Sequence, residues 1–311
     1  MRDNDTGIEF KVRDAASYDS LTAEFDRFTQ RLSRPLAERL VGFAEIRPTD
    51  RVLDVGTGTG VVALLASEKL GAAGKIVGVD LSAQMLSRAK SNAARQGVGD
   101  RVDFCQMDAE ALAFRDCSFD ASLSLFALLH FPDPLTSLRQ IFRVLRPGGR
   151  LILAVGSGPR LASLAGFRES IRLFRRKYAV RMNKLLIGPD CLDRFVIQRI
   201  AEHGGPEESE LARERGTRTQ SVPQLVRQAG FRDTRVRWHG TEAAIRSPEE
   251  FWEIQRTFSS VARKRLLGVS EERIAALRDE FLGNCRSVQS HGGKLTYPFG
   301  ALYVIARRHP G

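Results

Sequence analysis

The strongest structural signal in the chain is the run Val52-Leu53-Asp54-Val55-Gly56-Thr57-Gly58-Thr59-Gly60. Residues 51–55 are mostly apolar and predict a short buried strand. Three glycines at alternate positions then predict a tight turn, because glycine tolerates positive φ and lets a ligand approach the backbone closely. Residues 61–70 predict a helix that ends at Gly71. The run therefore predicts a strand–turn–helix unit.

The same alternation continues along the chain. Strands are also predicted at 75–79, 101–105, 119–125, 150–155, 234–239 and 301–307, and helices near 19–30, 35–45, 82–96, 134–145, 222–228, 248–257 and 270–282. Strands that alternate with helices at this spacing predict βαβ units and a parallel sheet, and right-handed crossovers make such a sheet doubly wound. We therefore predict an α/β fold with a doubly wound, mostly parallel, seven-stranded sheet.

Composition excludes several classes of protein. At 311 residues and 42% hydrophobic residues the chain should form a soluble globule, with no apolar run near the length of about 20 residues that spans a bilayer. The polar N-terminus has no signal-peptide core, so a cytoplasmic location is expected. Four cysteines without a C-x-x-C pair predict reduced thiols and no metal site; they are Cys105, Cys117, Cys191 and Cys285.

The positive charge lies in the second half of the chain. Residues 1–156 are balanced, whereas residues 157–311 carry the whole net charge of +11. A basic helix is predicted at 160–186, with an apolar stripe at spacings of three and four: Leu164, Phe167, Ile171, Phe174, Tyr178, Met182 and Leu185. Such a helix can be a lid that packs on the domain, and it can equally contact a membrane or capture an anionic substrate.

An acidic residue falls at or just beyond the end of each of the first three predicted strands. These residues are Asp54, Asp80 and Asp108. Open α/β sheets bind ligands at the carboxyl ends of their strands, so the three carboxylates should lie at one ligand site. Val61 stands where a dinucleotide fingerprint requires glycine, and Asp54 would repel a pyrophosphate. A carboxylate at that position suits the cationic amino-acid end of S-adenosylmethionine (SAM).

The other two carboxylates have their own expected roles. Asp80 can bind both hydroxyls of a ribose, which NAD and SAM share, so this residue alone does not choose between them. Leu81 and Met85 are spaced to pack on an adenine face, although a methionine at such a position can equally belong to the core. Asp108 can accept a hydrogen bond from an adenine amine.

Five motifs in order resemble the signature of class I SAM-dependent methyltransferases, and are similar to the ubiquinone/menaquinone-biosynthesis type of small-molecule enzyme. They are residues 52–60, Val79-Asp80-Leu81-Ser82, Met107-Asp108-Ala109, Phe119-Asp120 and Leu145-Arg146-Pro147-Gly148-Gly149. The resemblance implies a Rossmann-like fold with helical cap insertions, SAM as the cofactor and S-adenosylhomocysteine as its product. It implies cofactor contacts at Tyr18, Asp54, Gly56, Thr57, Gly58, Gly60, Asp80, Leu81, Met85, Asp108, Ala109, Ser124 and Phe126.

With that resemblance, six segments are expected along the chain. They are a helical arm or lid (1–45, with 1–17 loosely held), a SAM-binding core (46–156), a basic helical cap (157–220), a core helix and strand (221–240), a second helical cap (241–295) and a terminal core strand (296–311).

Two elements at the edge of the family pattern suggest residues near the reacting groups. Tyr18-Asp19 and Phe25-Asp26 resemble a paired aromatic–Asp element that closes over the cofactor, although both aromatics can equally belong to an amphipathic helix. His130 follows the fourth strand, where the family faces the methionine part of SAM, but Leu125 and Leu129 depart from the family pattern there.

Methyl transfer requires alignment of the reactants above all, and a general base only when the nucleophile keeps its proton. The candidates for such a base are His130, His239 and Tyr18. We expect a small-molecule acceptor, anionic or hydrophobic, that is methylated at O, N or C. An RNA acceptor is disfavoured because residues 124–127 lack the Asn/Asp-Pro-Pro-Tyr/Phe motif of enzymes that methylate base amines. A non-catalytic SAM-binding regulatory or assembly protein is the remaining alternative.

Overall fold

The computed structural model describes residues 11–157, 186–187 and 220–309, except residues 13, 20, 259–262, 264–265 and 267–268. This part of the chain contains eight strands. They are β1 (Arg51–Val55), β2 (Lys75–Asp80), β3 (Val102–Gln106), β4 (Phe119–Leu125), β5 (Leu145–Gly156), β6 (Leu186–Ile187), β7 (Arg232–Ala244) and β8 (Lys294–Arg307).

The sheet is doubly wound, as predicted. Its order is β3-β2-β1-β4-β5-β8, in which the first five strands are parallel and β8 runs antiparallel to β5. The chain builds outward from β1 to β3 and then returns to place β4 beside β1. This reversal leaves a crevice at the carboxyl ends of β1 and β4, which is where α/β sheets bind their ligands.

The strands differ from the prediction in number and length. An eighth strand, the two-residue β6, pairs with the start of β8, and β7 also pairs with β8. The fifth strand begins at Leu145 rather than at residue 150, because Leu145 pairs with Phe119 before the Pro-Gly-Gly turn. The Gly148 amide then donates to the Arg308 carbonyl over 2.7 Å, and this bond keeps the turn beside the sheet.

Besides the helical residues near the N-terminus, the described part of the chain has eight α-helices. They are α1 (Thr22–Phe28), α2 (Arg34–Phe43), α3 (Val61–Ser67), α4 (Ala83–Arg95), α5 (Pro134–Val144), α6 (Val222–Gln228), α7 (Pro248–Phe258) and α8 (Glu271–Ser290). Ser82 caps α4 as predicted, since its Oγ accepts the Met85 amide over 3.1 Å. A π-helical turn, Thr29–Ser33, joins α1 to α2.

The expectation of a loosely held arm over residues 1–17 is wrong for its described part. Residues 11–12 and 14–19, which we call the N-terminal segment, are helical, and Asp14 and Ser17 are buried. Polar side chains of this segment pair with loops that follow the strands, as described below. A reading of local composition does not detect such pairing, because the partners lie far away along the chain.

The chain divides into two units. The first comprises Met1–Gly156, Gln220–Arg237 and Ala301–Gly311, and the second comprises Ser157–Thr219 and Trp238–Gly300. In the second unit Phe281 of α8 packs against Phe251 and Trp252 of α7, with ring centroids 5.5 and 5.6 Å apart.

The basic helix predicted at 160–186 lies almost wholly outside the described residues, so its role stays a prediction. The division of the chain into arm, core and caps likewise stays a prediction as far as the functions of those segments are concerned. None of the described helices has both the length and the apolar character needed to cross a bilayer.

Candidate functional site

A glycine turn forms the floor of the crevice at the end of β1. The amides of Gly56 and Thr57 donate to the Val79 carbonyl over 2.9 and 3.0 Å, which fixes the turn to β2. Gly56 has φ +71°, and a Cβ on it would lie 2.1 Å from the Cβ of Ala127. Only glycine therefore fits at this position. Gly58 and Gly60 also have positive φ, and Gly60 precedes the first residue of α3.

Asp54 lies at the end of β1 as a buried carboxylate with one oxygen outside hydrogen-bonding distance of any described donor. Its Oδ2 accepts the Thr57 hydroxyl over 2.7 Å, while Oδ1 has no hydrogen-bond partner among the described residues. Burial raises the pKa of Asp54 to about 7, the Thr57 hydroxyl and the Ala63 backbone amide partly offset that rise, and the charge of Asp80 adds to it. A cation placed beside Oδ1 would therefore stabilise the ionised carboxylate.

Asp80 connects the glycine turn to the start of α4. Its Oδ2 accepts the Gly58 amide over 2.8 Å and its Oδ1 accepts the Ser82 amide over 3.0 Å. Burial raises the pKa of Asp80, and the backbone amides of Ser82, Gly58 and Leu81, together with His130, oppose that rise. Each oxygen keeps a further acceptor position. Nearby, Leu81 is half-buried, whereas Met85 is buried at 3% exposure, as a core residue would be.

Asp108 follows β3 and is held by two neighbours. Its Oδ1 accepts the Glu110 amide over 2.9 Å, and its Oδ2 accepts the Lys11 ammonium over 2.7 Å. The side chain keeps 31% exposure, so part of the carboxylate faces open space. Ala109 beside it is buried.

Two predicted residues lie near the end of β4, Ser124 within the strand and Phe126 directly after it. Ser124 is buried and its hydroxyl donates to the Val55 carbonyl over 2.9 Å, so it ties β4 to β1. Phe126 has φ +63°, a conformation that L-residues seldom adopt, and its amide donates to the Ala154 carbonyl. The strained residue turns the chain toward the short 3₁₀ helix Leu128–His130.

His130 and Tyr18 pack against each other. The Nδ1 of His130 lies 3.0 Å from Oδ2 of Asp14, a buried residue of the N-terminal segment. The Tyr18 ring is 6.0 Å from the His130 ring and 5.5 Å from that of Phe25. Phe25 in turn lies 3.7 Å from the position a Cβ would take on Gly58. The two aromatic residues and the histidine thus border the crevice.

The structure therefore brings all but one of the predicted site residues together in the first unit. The exception is His239, which lies in β7 within the second unit, so its catalytic role stays a prediction. Sequence reasoning missed Lys11, Asp14 and Glu110. A usable signal was present, because residues 11, 14 and 18 share one helical face.

A doubly wound sheet with carboxylates at the ends of β1, β2 and β3, arranged around a glycine turn, defines a class I SAM-dependent methyltransferase. Comparison with known proteins agrees, since the family model described as a methyltransferase domain matches residues 53–153. A ubiquinone/menaquinone biosynthesis C-methyltransferase from Xylella fastidiosa is 30% identical over 198 residues, which is 62% of this chain and 77% of the relative. Its counterpart from Hahella chejuensis is 36% identical over 149 residues, or 47% of this chain and 60% of the relative.

The chain accordingly belongs to the SAM-dependent methyltransferase family that contains the ubiquinone/menaquinone biosynthesis C-methyltransferases. Its fold is shared with the YcgJ protein from Bacillus subtilis, with a TM-score of 0.52 at 21% identity, covering 88% of this chain and 98% of the other. The predictions of a SAM-dependent enzyme and of a small-molecule methyltransferase are confirmed by these relatives. None of these findings favours the RNA or the non-catalytic alternative.

Proposed function

We propose that this methyltransferase holds SAM across the three carboxylates and transfers its methyl group to a ring carbon of a small, largely apolar aromatic acceptor. The observation that carries the proposal is the pairing of His130 with buried Asp14 at the edge of the crevice. Leu129, immediately before that histidine, is 39% exposed and offers an apolar contact. The relatives are named as C-methyltransferases of ubiquinone and menaquinone biosynthesis, which supports carbon as the methylated atom.

The residues of the crevice fit the chemical groups of SAM. The vacant Oδ1 of Asp54 suits the α-ammonium, Asp80 has acceptor positions for two ribose hydroxyls, and the exposed part of Asp108 suits the adenine amine. The glycines keep the floor free of side chains, so the ligand can approach the backbone. When bound, SAM supplies an electrophilic methyl group on a cationic sulfur.

The chain's own residues then orient the acceptor and move its proton. Phe25 lies beside Gly58 and Tyr18 packs against Phe25, so we expect the two rings to exclude water from the glycine turn. Asp14 accepts the Nδ1 proton of His130, which leaves Nε2 with a lone pair that can take a proton from a phenol or a ring carbon. Carbon methylation of an aromatic ring requires the removal of such a proton, whereas transfer to a free amine does not.

An acceptor screen tests this proposal. We expect the purified protein, given SAM with a deuterated methyl group, to methylate hydroxynaphthoquinols or long-chain phenols and to leave aliphatic amines unchanged. Mass spectrometry detects the transferred group, and NMR of the product distinguishes a C–CH₃ from an O–CH₃ or N–CH₃ group. Methylation confined to oxygen or nitrogen would contradict the proposed chemistry at carbon, although the enzyme would remain a methyltransferase.

The raised pKa of Asp54 predicts that SAM binding releases protons. Below about pH 7 the buried carboxylate is largely protonated in the free protein, and the cationic ligand favours its ionised form. Proton release should therefore be largest just below pH 7, between the pKa of Asp54 with SAM bound and its pKa in the free protein, and SAM affinity should increase as the pH rises to about 7. Calorimetry at pH 6.5 in phosphate and in a buffer with a large ionisation enthalpy measures the released protons.

The control for the Asp54 prediction is the variant Asp54→Asn, in which the buffer dependence of the binding enthalpy should disappear. Equal buffer dependence in this variant would assign the released proton to another group.

A further inference from the structure

Lys11 of the N-terminal segment joins two carboxylates that follow β3. Its ammonium donates to Asp108 over 2.7 Å and to Glu110 over 2.6 Å, although these residues lie 97 and 99 positions away in the sequence. The other oxygen of Glu110 accepts the Asp133 amide over 2.9 Å, at the N-terminus of α5. Lys11 therefore belongs to a network that reaches from the residues after β3 to the N-terminus of α5.

The lysine and the two carboxylates of this network stabilise one another in their charged forms. Asp108 and Glu110 are two like charges two residues apart, and the side chains of Lys11 and Glu110 are only 16% and 15% exposed. Burial acts to lower the pKa of Lys11, but its hydrogen bonds to the two carboxylates outweigh burial and raise that pKa. The ammonium is thus held in its charged form between the carboxylates.

We propose that Lys11 is a positioning residue for adenine recognition. The Lys11 ammonium on Oδ2 and the Glu110 amide on Oδ1 fix the plane of the Asp108 carboxylate. With both oxygens fixed, the remaining lone pairs of Asp108 point in set directions toward its exposed side, where they accept the hydrogen of an exocyclic amine. This inference rests on the proposed role of Asp108 in SAM binding, and Lys11 itself does not touch the cofactor.

A lysine that competed with the cofactor for Asp108 would change the cofactor affinity in the opposite direction. A lysine ammonium and an adenine amine are both donors to a carboxylate, so a lysine that occupied the place of the amine would compete with the cofactor. Removal of a competing lysine would tighten cofactor binding, whereas removal of a positioning lysine weakens it. The sign of the change in affinity therefore decides between the two roles.

The test compares two ligands that differ only in the base. S-Adenosylhomocysteine carries the 6-amino group, and S-inosylhomocysteine carries a 6-oxo group that cannot donate to Asp108. We expect Lys11→Gln to raise the Kd of the adenosyl ligand about tenfold, as the loss of an oriented charge-assisted hydrogen bond does, with less than about a twofold change for the inosyl ligand. Lys11→Arg should restore most of the preference, because it keeps the charge and the donors.

Two further variants give the comparison its controls. Lys90 is an exposed lysine on α4, so Lys90→Gln removes the same charge and should change neither Kd. Asp108→Asn tests the proposed function independently, since it should weaken the binding of the adenosyl ligand whatever the role of Lys11. Unchanged binding in Asp108→Asn would overturn the assigned cofactor site itself.

Three results would overturn the inference while leaving the cofactor site intact. The first is an unchanged Kd of Lys11→Gln for both ligands, and the second is an equal loss of affinity for both ligands. The third is tighter binding of the adenosyl ligand by this variant. The second would assign Lys11 a purely structural role, and the third would make it a competitor. Calorimetry on the full chain measures all the Kd values.

Discussion

Replacing His130 with glutamine should lower kcat for carbon methylation by about 10²- to 10⁴-fold, the usual contribution of a general base. The reason is the geometry at the crevice: Asp14 engages Nδ1 over 3.0 Å, so the imidazole presents Nε2 as the proton acceptor. Glutamine can fill similar space, but its amide takes no proton at neutral pH. Steady-state kinetics with the acceptor found in the screen measures the loss.

The ligand-binding behaviour of this variant separates chemistry from folding. S-Adenosylhomocysteine should bind His130→Gln with nearly the wild-type Kd, because the proposed cofactor contacts lie on Asp54, Asp80 and Asp108. Asp14→Asn should give a smaller loss of kcat, since the histidine remains but loses the carboxylate that orients it. The matched control is His291→Gln, which changes an exposed histidine just after α8. A wild-type kcat in His130→Gln would remove the base from the proposal.

Replacing Arg150 with methionine should lower the free energy of unfolding of the first unit by about 3–5 kcal/mol. Arg150 of β5 donates to Oδ2 of Asp50, the residue before β1, and the two side chains are 8% and 6% exposed. Methionine fills much of the space but leaves the Asp50 carboxylate buried without its cation. The Arg47 amide, at 2.9 Å, still donates to that carboxylate. A buried unpaired charge is among the most destabilising changes a fold can suffer.

The choice of probe matters for the Arg150 measurement. Trp238 and Trp252 both lie in the second unit, and neither belongs to β1 or β5, which lie next to the Asp50–Arg150 pair or contain it. Hydrogen exchange of peptides from β1 and β5 in increasing denaturant follows the first unit directly.

Two further variants complete the Arg150 experiment. Arg146→Met breaks an ion pair with Asp120 whose arginine is 46% exposed, and should cost no more than about 1 kcal/mol. The double variant Asp50→Leu with Arg150→Met should recover much of the lost stability, because it removes the orphaned charge. Equal losses in Arg146→Met and Arg150→Met would show that burial of the pair is not what makes it important.

The local parts of the site could be predicted from the sequence because short-range rules govern them. The glycine turn, the carboxylates at the ends of β1, β2 and β3, and the Ser82 cap all depend on residues close together in the chain. Strand alternation predicted a parallel sheet, and in that sheet Asp54 and Asp80 lie near the ends of neighbouring strands. The two-residue strand β6 was missed, because it pairs with a distant strand and has no pattern of its own.

What the sequence by itself determined is thus the fold class, the cofactor and the three carboxylates that we propose as its ligands. Only the tertiary structure decided which side chains hold those groups in place. Lys11 meets Asp108, Asp14 meets His130 and Asp50 meets Arg150 across 97, 116 and 100 positions. A periodic pattern reports the face on which a residue lies, but not its partner on a distant element. A buried charge needs a partner because packing removes it from water, and the complete fold decides which distant residue becomes that partner.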